Sequence, residues 1–293
     1  MFIADSGSAT VVSFANPNPV AGTLRIDRTL SGTAISNIMP DMAYDAAADM
    51  LYVVNNRSIM VMNRASTKNG SNAPDRTITS SSIPSTIVAI YLDTVKNILY
   101  VTYGSSTVLA FDNASTLNGS FVANRTLTIN RSAVGVPVKD VFVDTVHDTL
   151  YVAGHVGSGG VNDVVLKYNS ASTIPTGTPT IDHELTFPDT INDIVGDGAN
   201  DRLFIADQSA NSVLVFDSVS TLSGAVVAPR VISLPSLPQR LALAPVGNRL
   251  YALASGITDV YVVNNASTAT TGAPVTTLTS SSAGSFSAIA TAP

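Results

Sequence analysis

The 293-residue chain has no cysteine and no tryptophan, and charged residues make up only 12% of it. Without cysteine there is no disulfide, no thiolate metal site and no thiol nucleophile. Charged residues are about 25% of an average domain. The deficit here falls on two types, with a single glutamate (Glu184) and four lysines. Both are common on helix surfaces, so their scarcity points away from helix. No apolar run approaches the roughly 18 residues that would cross a bilayer as a helix. The net charge of −6 argues against a nucleic-acid binder, which needs a basic stripe. No leader precedes Met1-Phe2-Ile3-Ala4-Asp5, which already reads as a strand; we expect the natural start of translation to lie elsewhere.

What is present is a repeat. Leu51-Tyr52-Val53, Leu99-Tyr100-Val101, Leu150-Tyr151-Val152, Leu203-Phe204-Ile205 and Leu250-Tyr251-Ala252 recur every 47 to 53 residues, and Met1-Phe2-Ile3 makes a sixth copy. That period matches a four-stranded propeller blade. Six residues before four of those leucines stand Asp45, Asp93, Asp144 and Asp197. Two residues before a leucine stands Asp49, Asn97, Asp148, Asp201 or Asn248. Such pairs suit a tight turn, because their side chains bond nearby backbone and tolerate left-handed φ. The four earlier aspartates are therefore read as structural.

A third strand follows, as in Val108-Leu109-Ala110-Phe111 and Val213-Leu214-Val215-Phe216, and then the element Asp112-Asn113-Ala114-Ser115-Thr116-Leu117-Asn118-Gly119 and its relatives. Here the Asp or Asn is expected to cap one helical turn and the Gly to leave it with φ > 0. The fourth strand often opens with Arg, at Arg28, Arg76, Arg125 and Arg230.

The predicted fold is all-β: one six-bladed β-propeller spanning 1–293, with four antiparallel strands per blade. Blades fall at about residues 40–86, 87–137, 138–190, 191–237 and 238–284. The closing blade takes its innermost strand from 285–293 and the other three from 1–39, because Ile289-Ala290-Thr291-Ala292-Pro293 matches Leu241-Ala242-Leu243-Ala244-Pro245. Blade 3 alone carries a long insertion, 155–163.

The Asp-x-x-x-Asn-x-Leu-Tyr-Val and Val-Leu-Val-Phe-Asp segments make the chain resemble NHL-type and gluconolactonase-like six-bladed propellers. The likeness covers the whole chain as fold and repeat grammar. It implies either a binding scaffold or a calcium-dependent lactonase or esterase, whose site would lie at the channel mouth.

Four residues before each turn aspartate, the innermost strands begin at Asp41, Ala89, Asp140, Asp193, Arg240 and Ala288, with Lys139, Asn192 and Gln239 just before three of them. Asp41, Asp140 and Asp193 could together hold Ca²⁺, which takes six to eight oxygens. Against that, glutamate is missing from the set, and Arg240 and Lys139 could neutralise the aspartates directly. His147, His155 and His183 fall on an inner turn, the blade 3 insertion and an outer strand, so they form neither a triad nor a metal cage. His155 is expected to be a solvated loop residue.

The expected function is a non-enzymatic, exported scaffold at the cell surface or outside the cell. It would bind a protein partner or its own copies without cofactor, with a surface layer or filament as one version. Self-contacts would use loop faces or the outermost strands, whose Thr-rich edges would offer unpaired backbone groups. The alternative is a Ca²⁺-dependent hydrolase.

Overall fold

The structure is a computed structural model that describes residues 1–14, 22–32, 35–36, 38–132, 134–156, 163–188, 190–254, 257–280 and 284–292. Six antiparallel four-strand meanders stand around one axis. Blade 2 is typical, with strands Ala89–Asp93, Ile98–Thr102, Thr107–Asp112 and Arg125–Thr128 in that order outward. Successive side chains of a strand point to opposite sheet faces. Leu99 and Val101 accordingly pack toward blade 1, while Ile98 and Tyr100 pack toward blade 3. Both faces are covered, which is why the second and third strands read as unbroken apolar runs. The buried side chains fall into six clusters, one between each pair of neighbouring blades.

The ring closes as predicted. Phe286–Ala290 is the innermost strand of the sheet that continues with Phe2–Asp5, Thr10–Ser13 and Arg28–Ser31. Phe2 pairs with Ala290 and Ile3 with Ile289. Pro293 and residues 157–162 of the blade 3 insertion lie outside the described residues.

Two local expectations are corrected. The single turns are short 3₁₀ helices such as Ala65–Thr67 and Ala114–Thr116, and the residue before them adopts left-handed φ without any side-chain cap. The cap comes from the inner turn of the same blade. Asp49, Asn97, Asp148, Asp201 and Asn248 accept the backbone N–H of Ser66, Ser115, Ser172, Ser220 and Ser267 at 2.8–2.9 Å. The predicted left-handed φ of those five residues is observed, at 47–58°.

Four of the six outermost strands are not open edges either. Gly70–Ser71, Gly119–Phe121 and Gly224–Ala225 each pair in parallel with the fourth strand of the preceding blade, and Gly22–Thr23 does the same for blade 5. Gly177 makes a single bridge to Leu127. At Gly70, Gly119 and Gly224 the glycine that leaves a 3₁₀ turn thus starts a short strand that covers a neighbour's edge, the place where foreign strands would otherwise add, whereas Arg230–Ser233 has no such strand beside it among the described residues.

The repeated arginines hold blades together. Arg76 donates to the Leu117 carbonyl at 2.8 Å, Arg125 to Ser172 at 2.7 Å and Arg230 to Ala269 at 3.1 Å, each in the next blade. Beside them the Tyr52 and Tyr100 hydroxyls donate to the Ala114 and Ala171 carbonyls. Blade 3 opens its fourth strand with His183 instead, and Lys167 takes over by donating to the Ser220 carbonyl at 2.7 Å. The equivalent Tyr151 hydroxyl is buried there with no partner among the described residues.

Candidate functional site

The innermost strands of blades 3, 4 and 5 lose regular register where they begin, around Val138/Asp140, Ile191/Ile194 and Pro238/Arg240. A bulge there re-aims side chains, and the re-aimed residues are Lys139, Asp140, Asn192, Asp193, Gln239 and Arg240. No sequence signal marked these irregularities.

Asp41, Asp140 and Asp193 do converge near the axis, and each joins its blade to the next. Asp41 Oδ2 accepts the Ile90 N–H, Asp140 Oδ2 the Ile194 N–H and Asp193 Oδ2 the Leu241 N–H, all at 2.7 Å. Arg240 closes the channel above them. Its Nη1 donates to Asp193 Oδ1 at 2.9 Å, its Nε to the Pro40 carbonyl at 2.9 Å and its Nη2 to the Val88 carbonyl at 3.2 Å, so one guanidinium from blade 5 spans to blades 1, 2 and 4. At the same level blades 2 and 6 place only Ala89 and Ala288, both fully buried.

Three carboxylates share this one guanidinium. Burial is the main influence on each and disfavours the charged form. It pushes Asp41 up to about 7, with Arg240 opposing and Asp193 adding to the rise. Asp140 is pushed well above the ordinary carboxylate range by burial and by Asp193 and Asp41. Asp193 is raised by burial too, with Arg240 and the Leu241 N–H opposing the rise. These residues fit Ca²⁺ poorly. Asp193 spends both oxygens on Arg240 and Leu241, and a fixed cation already sits across the mouth. Among the described residues no group of three or more His, Asp or Glu is arranged to hold a metal.

Lys139 does not neutralise these aspartates. Its Nζ lies 2.7 Å from Asp163 Oδ2 and 2.8 Å from the Ile191 carbonyl. Asp163, fully buried, also bonds His155 Nδ1 at 2.7 Å and accepts the Ile191 N–H. His155 ends the strand Thr149–His155 and is half-buried, so it is a bonded residue and not the solvated loop histidine the sequence suggested. Asn192 donates to the Gln239 carbonyl. His183 lies on the outer strand, and His147 bonds Asp144 on an inner turn. The three histidines stay apart, as predicted.

Of the turn aspartates, Asp45, Asp93 and Asp144 each accept two backbone N–H groups of their own turn. Asp197 differs. Its turn is the 3₁₀ segment Gly198–Asn200, it makes no side-chain cap, and it accepts instead from Asn200 Nδ2 at 2.7 Å.

The axial cavity, about 270 Å³, lies on the other side of the carboxylates. It runs from Asp41, Asp140 and Asp193 along the innermost strands to Thr94, Thr145 and Thr291 beside the inner turns. The channel is therefore a funnel that opens on the inner-turn face, opposite to the strand starts where the sequence placed the candidate residues. Its walls include Tyr44, Tyr91 and Phe142, the last two edge to face at 5.5 Å.

No family model matches the chain, and no curated protein matches it. Solved structures do. A chain of the nidogen/laminin complex is similar with a TM-score of 0.62 and 13% identity, over 99% of this chain and 96% of that one. The hydrazine synthase of Kuenenia stuttgartiensis is similar with a TM-score of 0.57 and 15% identity, over 90% of this chain and 75% of that one. At these identities the likeness establishes the propeller fold, and the fold alone does not choose a function.

Proposed function

We propose that the chain is a non-enzymatic propeller scaffold that binds a protein partner. The observation that carries this reading is where the polar groups at the axis are spent. Asp41, Asp140, Asp193, Arg240, Lys139 and Asn192 all bond backbone or side chains of neighbouring blades. They make a rigid ring and do not converge on a reacting atom. A similar propeller fold occurs in a complex named for two proteins, which suits the same role. The low charge and Ser/Thr/Asn-rich surface favour an exported protein of the cell surface or extracellular space, and the repeat grammar favours the NHL-like branch of six-bladed propellers. Assembly with its own copies is the narrower version. With four of the six outer edges covered, it would use the two loop faces or the remaining edge at Arg230–Ser233.

The test has two arms. Light scattering across a wide concentration range reads self-association, and a strictly monomeric protein removes the assembly version. A lactone and ester panel with and without chelator reads the hydrolase alternative. Turnover lost on chelation and in Asp140→Asn would overturn the scaffold reading.

A further inference from the structure

We propose that the axial funnel binds a small organic cation, an ammonium or guanidinium on a short alkyl stem, entering from the inner-turn face with its charged end on Asp41, Asp140 and Asp193. The cavity is blind at one end, because Arg240 bridges the carbonyls of Pro40 and Val88 above it. At the other end it reaches the partly exposed Thr145 and exposed Thr94. A concave, mostly apolar site with a few convergent polar groups is the usual form of a small-molecule pocket. Here the charged lining groups are all carboxylates, and the walls of Met42, Tyr44, Tyr91, Phe142, Leu243 and Ile289 are apolar or aromatic.

The charge balance selects the ligand. Three carboxylates face one guanidinium, and that guanidinium is turned to Asp193 and to backbone carbonyls, away from the funnel lining. Blades 2 and 6 add only alanine at this level, so among the described residues Arg240 is the one basic group near Asp41 and Asp140, and it hydrogen-bonds neither of them. An anion would be repelled. A calcium ion would need six to eight oxygens, whereas an ammonium needs two or three acceptors. Each carboxylate oxygen can accept more than the one N–H it already holds. Aromatic faces along the wall add attraction for a cation. From Ala89 to Thr94 the strand advances about 16 Å, a depth that suits a free molecule better than one side chain of a folded partner.

The raised proton affinity of Asp41 and Asp140 couples binding to pH. A cation arriving at the floor displaces a proton, so affinity should rise with pH. The limit is about tenfold per pH unit for one proton released. The Tyr44 and Tyr91 hydroxyls, both raised by burial, stay neutral.

Isothermal titration with hexylammonium and agmatine, against hexanol and hexanoate, tests this at pH 6, 7 and 8. The expected result is saturable binding of the two cations only, tightening several-fold from pH 6 to 8, with proton release seen as a buffer-dependent heat. Asp140→Asn should weaken it. Because that variant could disturb the ring, the double variant Thr94→Trp, Thr145→Trp at the rim supplies an independent test. It should keep the circular dichroism spectrum and lose binding. Equal binding of hexanol, binding that survives the rim block, or no binding of either cation would each overturn the proposal.

Discussion

Asp41 of the first blade accepts the backbone N–H of Ile90 in the second at 2.7 Å. The bond has the direction of the chain: a side chain at the start of one innermost strand fixes the start of the next. Asp140 and Asp193 repeat it toward Ile194 and Leu241. The buried carboxylates therefore act on the spacing of blades, and the consequences are measurable.

Asp193 should be the most sensitive of the three. Asp193→Ala leaves both the Leu241 N–H and the Arg240 guanidinium without their acceptor in a site where Asp193 is 4% exposed. Removing one member of a buried pair typically costs about 3–5 kcal/mol. Asp193→Asn keeps the acceptor for one of them and should cost visibly less. Urea unfolding of the two variants measures the difference, and equal losses would argue against the relay.

Stability should fall as pH rises between about 4 and 7. Asp41 titrates near 7 in the folded chain and near 3.8 when unfolded. Across that window the folded state holds a proton the unfolded state has lost, so unfolding gains on folding as pH increases. Asp49 and Asp217 work the other way. Bonds from Ser66 to Asp49, and from Arg202 and Arg230 to Asp217, lower both carboxylates despite burial. Their contribution disappears only as pH drops below the ordinary carboxylate range. Thermal melts of the native chain and Asp41→Asn across pH 4 to 8 should show a shallower decline in the variant.

Tyr100 and Tyr151 stand at equivalent places with different hydrogen bonding. Tyr100→Phe removes a bond to the Ala171 carbonyl and should cost about 1 kcal/mol. Tyr151→Phe removes a buried hydroxyl that has no partner among the described residues, and it should be neutral or stabilising. Comparison of the two midpoints decides it; a loss for Tyr151→Phe as large as for Tyr100→Phe would contradict the assignment.

The two kinds of turn carboxylate should also separate. Asp45→Ala loses two local backbone bonds and should cost about 1 kcal/mol. Asp201→Asn should be nearly silent, since Asn97 and Asn248 fill the same place in blades 2 and 5, bonding the backbone N–H of Ser115 and Ser267. Asp201→Ala should cost about 1–2 kcal/mol, because both Ser220 bonds go and a left-handed φ of 49° stays. Chemical denaturation of the three variants reads this order directly.

Blade count, strand order and the shared closing blade were legible in the sequence because each rests on local pattern. Leu-Tyr-Val marks a strand buried on both faces, and the matched ends at Met1-Phe2-Ile3 and Ile289-Ala290 mark a divided hairpin. The convergence of Asp41, Asp140, Asp193 and Arg240 was legible too, since a common repeat position becomes a common height around the axis. The partners of Lys139 and His155 were not. Asp163 reaches them through the far end of an insertion that no other blade carries, and the bulge at Val138/Asp140 leaves no compositional trace. The open side of the funnel was equally hidden. It depends on the path of the Arg240 side chain to carbonyls 152 and 200 residues away.

Because Phe2 pairs with Ala290 in antiparallel register, the chain enters and leaves the ring on the same side. Met1 begins a strand running away from the inner-turn face, and Thr291, which lines the funnel, ends one running toward it. Anything fused to either end, whether a purification tag, a fluorescent reporter or a tether to a chip, would hang beside the open end of the funnel. A tethered ring would turn that opening toward its support and display the arginine-sealed side outward. Coupling through the exposed Lys96, in the inner turn beside Thr94, would put the same face against the support.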